Sequence, residues 1–210
     1  MKEKFTKGKF ISFEGGEASG KTTQIKMLSE FLTNAGIDHI VTREPGGTKI
    51  GEKIREILLS KENEEMDPDA EILLFAATRA QLVNELILPN LEQGKMVISD
   101  RYIDSSYVYQ GLGEAERIWD IFWLNQRTLS KCMPDITFYL DIDPEVAFKR
   151  RNGPDSNDRI ETKTLEFHKK VRQEFLSLAE KCPDRIKVID ASQTVEEINS
   201  QIINIIKNYL

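Results

Sequence analysis

Short runs of β-branched and aromatic residues alternate along this chain with longer stretches whose apolar positions recur at helical spacing. The strand-like runs fall near 9–14, 38–42, 95–99, 135–141 and 186–190, with helical patterns between and after them. Such alternation predicts an α/β domain with parallel strands, because a parallel pair needs a crossover long enough to hold a helix. The expected fold is therefore a five-stranded parallel sheet flanked by helices. Ligands of such sheets bind outside the carboxyl ends of the strands. Three notable segments follow those ends: Glu14 to Thr22, Arg43-Glu44-Pro45-Gly46-Gly47, and Asp100-Arg101-Tyr102.

The first segment carries the strongest chemistry. Gly15-Gly16-Glu17-Ala18-Ser19-Gly20-Lys21-Thr22 follows the run Lys9-Phe10-Ile11-Ser12-Phe13 and opens a helical pattern from Thr22 to Phe31. This spacing of two glycines, a lysine and a threonine is that of a phosphate-binding loop between a strand and a helix. Backbone N–H groups of Gly15, Gly16, Glu17, Ala18, Ser19 and Gly20 would turn toward the phosphates. Lys21 would reach the β and γ oxygens, the Thr22 hydroxyl would face magnesium, and Thr23 would continue the nucleotide-binding segment. The segment predicts a bound nucleoside triphosphate.

Length and composition narrow what else is possible. A chain of 210 residues predicts one domain over 1–210. With 40% hydrophobic and 30% charged residues it has the balance of a globular protein, and no membrane span is expected from its apolar runs. Met1-Lys2-Glu3-Lys4-Phe5 lacks the apolar segment of a secretory signal, so a cytoplasmic protein is expected. Cys132 and Cys182 suit neither a disulfide framework nor a metal site and are read as packing residues. A net charge of -6 argues against a nucleic-acid polymer as partner, while small phosphorylated ligands need only a local cluster of arginines.

Arginines do cluster near the strand ends. Asp100 closes the run Met96-Val97-Ile98-Ser99, where a carboxylate can orient magnesium, directly or through water. Arg101 follows it, and a guanidinium fork matches a phosphate monoester. Phe75 and Arg79 share one helix face with Leu82 nearby, so the ring could stack on a base while the arginine meets its edge; taken alone, Phe75 reads as a core residue. His39 and His168 have no ligand pattern around them. Ile118, Trp119, Phe122 and Trp123 read as a buried helix face or a subunit contact.

Taken together, Phe-Glu-Gly-Gly-Glu-Ala-Ser-Gly-Lys-Thr-Thr-Gln at 13–24, Thr-Arg-Glu-Pro-Gly-Gly-Thr at 42–48, Leu-Phe-Ala-Ala-Thr-Arg at 74–79 and Asp-Arg-Tyr-Ile-Asp-Ser-Ser-Tyr-Val-Tyr-Gln at 100–110 resemble bacterial thymidylate kinase. Asp158-Arg159-Ile160-Glu161 and Val188-Ile189-Asp190-Ala191 extend the likeness over nearly the whole chain. The resemblance implies a P-loop nucleoside-monophosphate-kinase-like fold with a short flexible lid at about 150–161. It implies transfer of the γ-phosphate of ATP to dTMP, with Mg²⁺ as cofactor and a homodimer as the assembly.

The likeness also implies residue roles. Glu17 would meet the sugar 3'-hydroxyl, Phe75 would stack on thymine and Arg79 would hydrogen-bond its edge. Arg43, Arg55 and Arg101 would surround the monophosphate, with Glu44 and Pro45 shaping that wall. Ser105, Ser106 and Gln110 would line the acceptor, and Tyr109 would sit under the sugar where a 2'-hydroxyl finds no room. Asp190, Ala191 and Gln193 would flank the adenine of ATP. Ala18 stands where some members of the family carry an arginine, which shifts the catalytic cation to the lid, where Arg150, Arg151 and Arg159 are candidates and Arg151 and Arg159 are preferred. Two rival readings remain: a kinase for another nucleotide or a nucleoside, and a GTPase-like switch. The second lacks any Asn-Lys-x-Asp guanine-recognition sequence.

Overall fold

The computed structural model describes residues 8–112, 115–150, 160 and 163–210. Strands β1 (Phe10–Gly15), β2 (His39–Arg43), β3 (Met96–Asp100), β4 (Ile136–Asp141) and β5 (Ile186–Asp190) form a single sheet in the order β2-β3-β1-β4-β5. Every pairing is parallel, as the alternating pattern predicts, and each observed strand begins within a residue of its expected position. Placing β1 at the centre puts the end of its strand, and the glycine loop after it, in the middle of the sheet's carboxyl edge.

Helices α1 (Lys21–Asn34), α2 (Lys49–Leu59), α3 (Pro68–Leu82), α4 (Leu88–Glu92), α5 (Ile103–Tyr109), α6 (Ala115–Leu129), α7 (Pro144–Arg150), α8 (Leu165–Lys181) and α9 (Val195–Ile206) cover both faces. Alternation within β1 assigns the layers: Ile11 and Phe13 pack with Leu28, Leu32, Ile198 and Ile202 of α1 and α9, while Phe10 packs with Leu82, Ile87 and Leu91 on the opposite side. A third cluster joins Tyr139 of β4 to Val171 and Phe175 of α8.

The caps set α1 apart from the other long helices whose caps are described. Thr48, Asp67, Thr164 and Thr194 each accept a first-turn N–H of α2, α3, α8 and α9, and Thr194 with Glu197 completes a capping box. The N-cap of α1 is Gly20, in the left-handed region with φ 91°, and no side chain caps it. Its first-turn N–H groups are left facing the crevice, with the positive end of the helix dipole behind them.

Pro68–Glu92 forms one 25-residue helical stretch through a π-helical turn at Val83–Ile87, and an 18-residue window within it has mean hydropathy 1.3, so the stretch is long and apolar enough by length and composition to cross a membrane. This corrects the expectation of no run of that length, since Arg79 and Glu85 break its apolar character on paper. Ile72, Leu82, Val83, Ile87 and Leu91 are buried against β1 and β3, so packing on the sheet accounts for its composition. Cys132 is buried and Cys182 half-buried, and neither is in a disulfide.

Candidate active site

The phosphate loop is shaped by its small residues. Gly15 has φ 149°, and a Cβ there would lie 2.8 Å from the Leu140 carbonyl oxygen and 2.8 Å from Ser19 Oγ, so a side chain is excluded by both conformation and space. Ala18 also adopts a positive φ, 53°. Lys21 starts α1 and folds its ammonium back over the loop, donating to the carbonyls of Gly15 at 3.1 Å and Gly16 at 2.9 Å. Burial lowers the pKa of Lys21 and the nearby Arg101 guanidinium adds to this, against Glu17, Asp100 and Glu14. A cation in so dry a place interacts more strongly with phosphate charge than it would in water.

Across the crevice, β3 ends in Asp100 and the chain turns at Arg101, whose φ of 68° is costly for a residue with a Cβ, on the order of 1–3 kcal/mol. Three hydrogen bonds hold that turn. The Arg101 N–H reaches the Phe13 carbonyl at 2.9 Å, the Ser99 hydroxyl donates to the Arg101 carbonyl at 2.7 Å, and the Tyr102 N–H reaches Glu14 Oε1 at 2.8 Å. The guanidinium then donates to Glu17 Oε1 at 2.8 Å and to Ser105 Oγ at 3.3 Å, and lies 5.4 Å from the centre of the Tyr109 ring. Arg101 thereby bridges the phosphate loop and α5.

One cavity gathers most of the sequence-predicted residues. Glu17, Lys21, Thr22, Arg43, Glu44, Pro45, Arg55, Phe75, Asp100, Arg101, Ser105, Ser106, Tyr109 and Gln110 all line it. Arg43 is steadied by Glu52 at 2.8 Å, and Arg55 by the Pro45 carbonyl at 2.8 Å. Gln110 donates to Glu71 Oε1 at 2.8 Å. Thr22 and Asp100 face the same space, and Asp100 Oδ1 is buried without a hydrogen-bond partner among the described residues. An oxygen donor set of one hydroxyl and one such carboxylate suits magnesium that takes its other ligands from phosphates and water.

Arg79 lies elsewhere. It is fully buried beneath the cavity, pairs with Glu44, and donates to Asn125 Oδ1 at 2.7 Å and Ser106 Oγ at 2.7 Å. Burial outweighs that ion pair at Glu44 and raises its pKa to about 7. The loop expected to flank adenine sits at the end of β5: the Ser192 N–H caps Asp190 Oδ1 at 2.9 Å, and Gln201 donates to Gln193 Oε1 at 2.7 Å. Arg150 donates to the Ala191 carbonyl at 2.9 Å. Arg151 and Arg159, with most of the expected lid, lie outside the described residues.

Four residues of the site escaped sequence reasoning. Glu14 reads as a strand residue, yet its carboxylate is fully buried and its pKa is pushed up to about 8, first by burial and then by Asp104, against Arg101, Ser105 and Tyr102. Glu71 and Asn125 hold Gln110 and Arg79 from other helices. His168, given no role by the sequence, lines the same cavity and packs against Phe148 and Phe167.

Comparison with known proteins comes from three directions. The family model described as Thymidylate kinase matches residues 13–202. The thymidylate kinase of Thermoanaerobacter sp. (strain X514) is 49% identical over 204 residues, covering 97% of this chain and 100% of the relative. That of Clostridium novyi (strain NT) is 44% identical over 203 residues, covering 96% and 99%. The crystal structure of thymidylate kinase from Ehrlichia chaffeensis superposes with a TM-score of 0.77 at 34% identity, across 96% of this chain and 99% of that one.

Proposed function

We propose the reaction from kinship and geometry together: the chain belongs to the thymidylate kinase family. It is an ATP-dependent nucleoside monophosphate kinase that transfers the γ-phosphate of ATP to dTMP, giving dTDP and ADP. The observation that carries this reading is the single cavity in which Lys21 and Thr22 of the phosphate loop face Arg101, Phe75 and Tyr109.

The roles follow from the chemistry of each group. An oxygen of the dTMP phosphate bonds to the γ-phosphorus while the bond from that phosphorus to the β–γ bridging oxygen breaks and ADP leaves. A phosphate monoester is largely dianionic near pH 7, so the acceptor needs no general base. What the protein must supply is alignment and charge. The loop N–H groups of Gly15 to Thr23 and Lys21 grip the donor, and Arg43, Arg55 and Arg101 hold the acceptor phosphate against the wall of Glu44 and Pro45. Phe75 stacks on the base, with Ser105, Ser106 and Gln110 around it and Arg79 directed toward its edge from behind Ser106. Glu17, which already accepts from Arg101, takes the 3'-hydroxyl, and Tyr109 lies under the sugar.

Thr22 and Asp100 would hold Mg²⁺, which would offset phosphate charge there. Asp190, Ala191 and Gln193 flank the adenine. Among the lid cations, Arg151 and Arg159 remain our candidates for the transferring group. We take the chain as one kinase domain acting in the cytoplasm, as a homodimer whose contact includes α6, where Trp119 and Trp123 are more than half exposed. Light scattering after size exclusion tests the dimer.

A coupled assay with ATP and a panel of monophosphates, with thymidine included, tests the reaction. The expected result is ADP release with dTMP far above all others. Turnover with thymidine, or with no acceptor, would replace this reading by a nucleoside kinase or a hydrolase.

A further inference from the structure

Glu14 closes the buried part of β1 one residue before the phosphate loop, and no step described above uses it. Its side chain has no exposure to solvent, and both oxygens are engaged: Oε1 accepts from the Tyr102 N–H at 2.8 Å and Oε2 from the Ser105 hydroxyl at 2.6 Å. The reason lies in the sheet. The β1–β3 register ends with Phe13 opposite Asp100, and the Arg101 N–H takes the Phe13 carbonyl. Arg101 then turns to φ 68°, which carries the chain away from β1 and leaves the next N–H, that of Tyr102, without a backbone acceptor. The Glu14 side chain supplies that acceptor, as one further rung built from a carboxylate. Its second oxygen fixes Ser105, whose Oγ in turn accepts from the Arg101 guanidinium at 3.3 Å.

Resting on the reading of Arg101 as the clamp for the acceptor phosphate, we propose that Glu14 is the positioning residue of that clamp, holding the Arg101–Ser105 turn by its backbone and its hydroxyl at once. Glu14 does not touch either nucleotide in this account. It acts through the angle at which Arg101 enters the cavity, and the donor side, held by its own glycines and Lys21, depends on it little. The Ser99 and Phe13 bonds remain when Glu14 changes, so the effect is graded.

Two substitutions separate reach from the acid group itself. Glu14→Asp keeps the carboxyl group but withdraws it by one methylene, so it cannot span both donors. Glu14→Gln keeps the reach: its carbonyl oxygen accepts from Tyr102, and its amide donates to Ser105 Oγ. Misplacement of a clamp by a fraction of an ångström should raise the KM for dTMP about tenfold in Glu14→Asp, with the Kd for ATP within about twofold of wild type, while Glu14→Gln stays within about threefold on both. If Glu14→Asp does not fold, Ser105→Ala stands in, with a smaller rise in the same KM. An unchanged KM for dTMP in Glu14→Asp, or in its stand-in, overturns the inference. So does an equal shift in both substrates, which marks a merely structural residue, or a Glu14→Gln as damaged as Glu14→Asp. If the wild-type chain leaves dTMP untouched, the proposed reaction fails and the inference with it; a working wild type with indifferent variants removes the inference alone.

Discussion

The two halves of the cavity are built by opposite means. The donor half is one contiguous loop, Gly15 to Thr22, whose shape comes from small residues at positive φ and from an uncapped helix start. The acceptor half is assembled from segments after β2, along α3, after β3 and along α5, held together by side chains that meet across 39 positions at Gln110–Glu71 and 91 at Ser105–Glu14. A contiguous loop concentrates its chemistry in a few atoms, so single changes there should be nearly all-or-none. A dispersed wall shares its work, so changes there should be partial and specific to one substrate.

The strongest way to break this contrast is Lys21→Ala. Removing a preorganised cation from the transferring phosphate should lower kcat by on the order of 10³ while far-UV circular dichroism and the melting temperature hold near wild type. Near-normal turnover would end the phosphoryl-transfer reading. On the acceptor side, Arg101→Ala should cost about 2–5 kcal/mol in kcat/KM for dTMP, with ATP affinity by titration calorimetry left close to wild type. A collapse of ATP binding would mean that Arg101 serves the donor half and that the division drawn here is wrong.

A finer test concerns the sugar. Tyr109 lines the cavity with Arg101 against its ring and Phe167 and Phe175 beside it, so its position is set by packing. A ribonucleotide acceptor should be disfavoured by roughly ten- to hundredfold in kcat/KM, because its 2'-hydroxyl would clash or be buried without a partner. Tyr109→Phe should keep that ratio and Tyr109→Ala should relax it. An unchanged ratio in the alanine variant would transfer the discrimination to Glu17.

The smallest expected effect is on stability against pH, and it too belongs to the acceptor wall and its anchor. Glu44 and Glu14 have folded-state pKa values raised from 4.5 to about 7 and about 8, chiefly by burial. A raised value means that the folded chain holds the proton more tightly than the unfolded chain. Their contribution to stability is therefore complete below about pH 4.5 and is lost as pH rises through about 7 and then about 8. Calorimetry of the ligand-free chain should show the melting temperature falling between about pH 4.5 and about pH 8, and Glu14→Gln should flatten the upper part of that fall. A slope unchanged in Glu14→Gln would show that Glu14 does not titrate in this window.

The contrast between the halves also explains what could be read in advance. Residues 15–22 announce their structure because each residue's type constrains its own backbone: glycine where φ is 149° or 91°, lysine where a strand passes into a helix. Phe75, Arg101 and Tyr109 were legible one at a time, and their meeting in one cavity follows from the sheet order. Arg79 was assigned to a base edge by resemblance; the fold buries it between Glu44, Asn125 and Ser106, partners that no local signal could have located. The aromatic face of α6 was open to two readings, and the packing leaves Trp119 and Trp123 exposed.

By itself, then, the sequence determined the order of strands and helices, the donor loop and the kinds of group available to an acceptor, since all of these depend on neighbours in the chain. Only the tertiary structure decided which groups are buried and what they face. Glu14 shows why: its neighbours in sequence make it a strand residue, and its function is created by Tyr102 and Ser105, brought to it by the parallel pairing of β1 with β3. A carboxylate's charge state and partners are set by the dielectric and the donors around it, and those belong to the packed molecule.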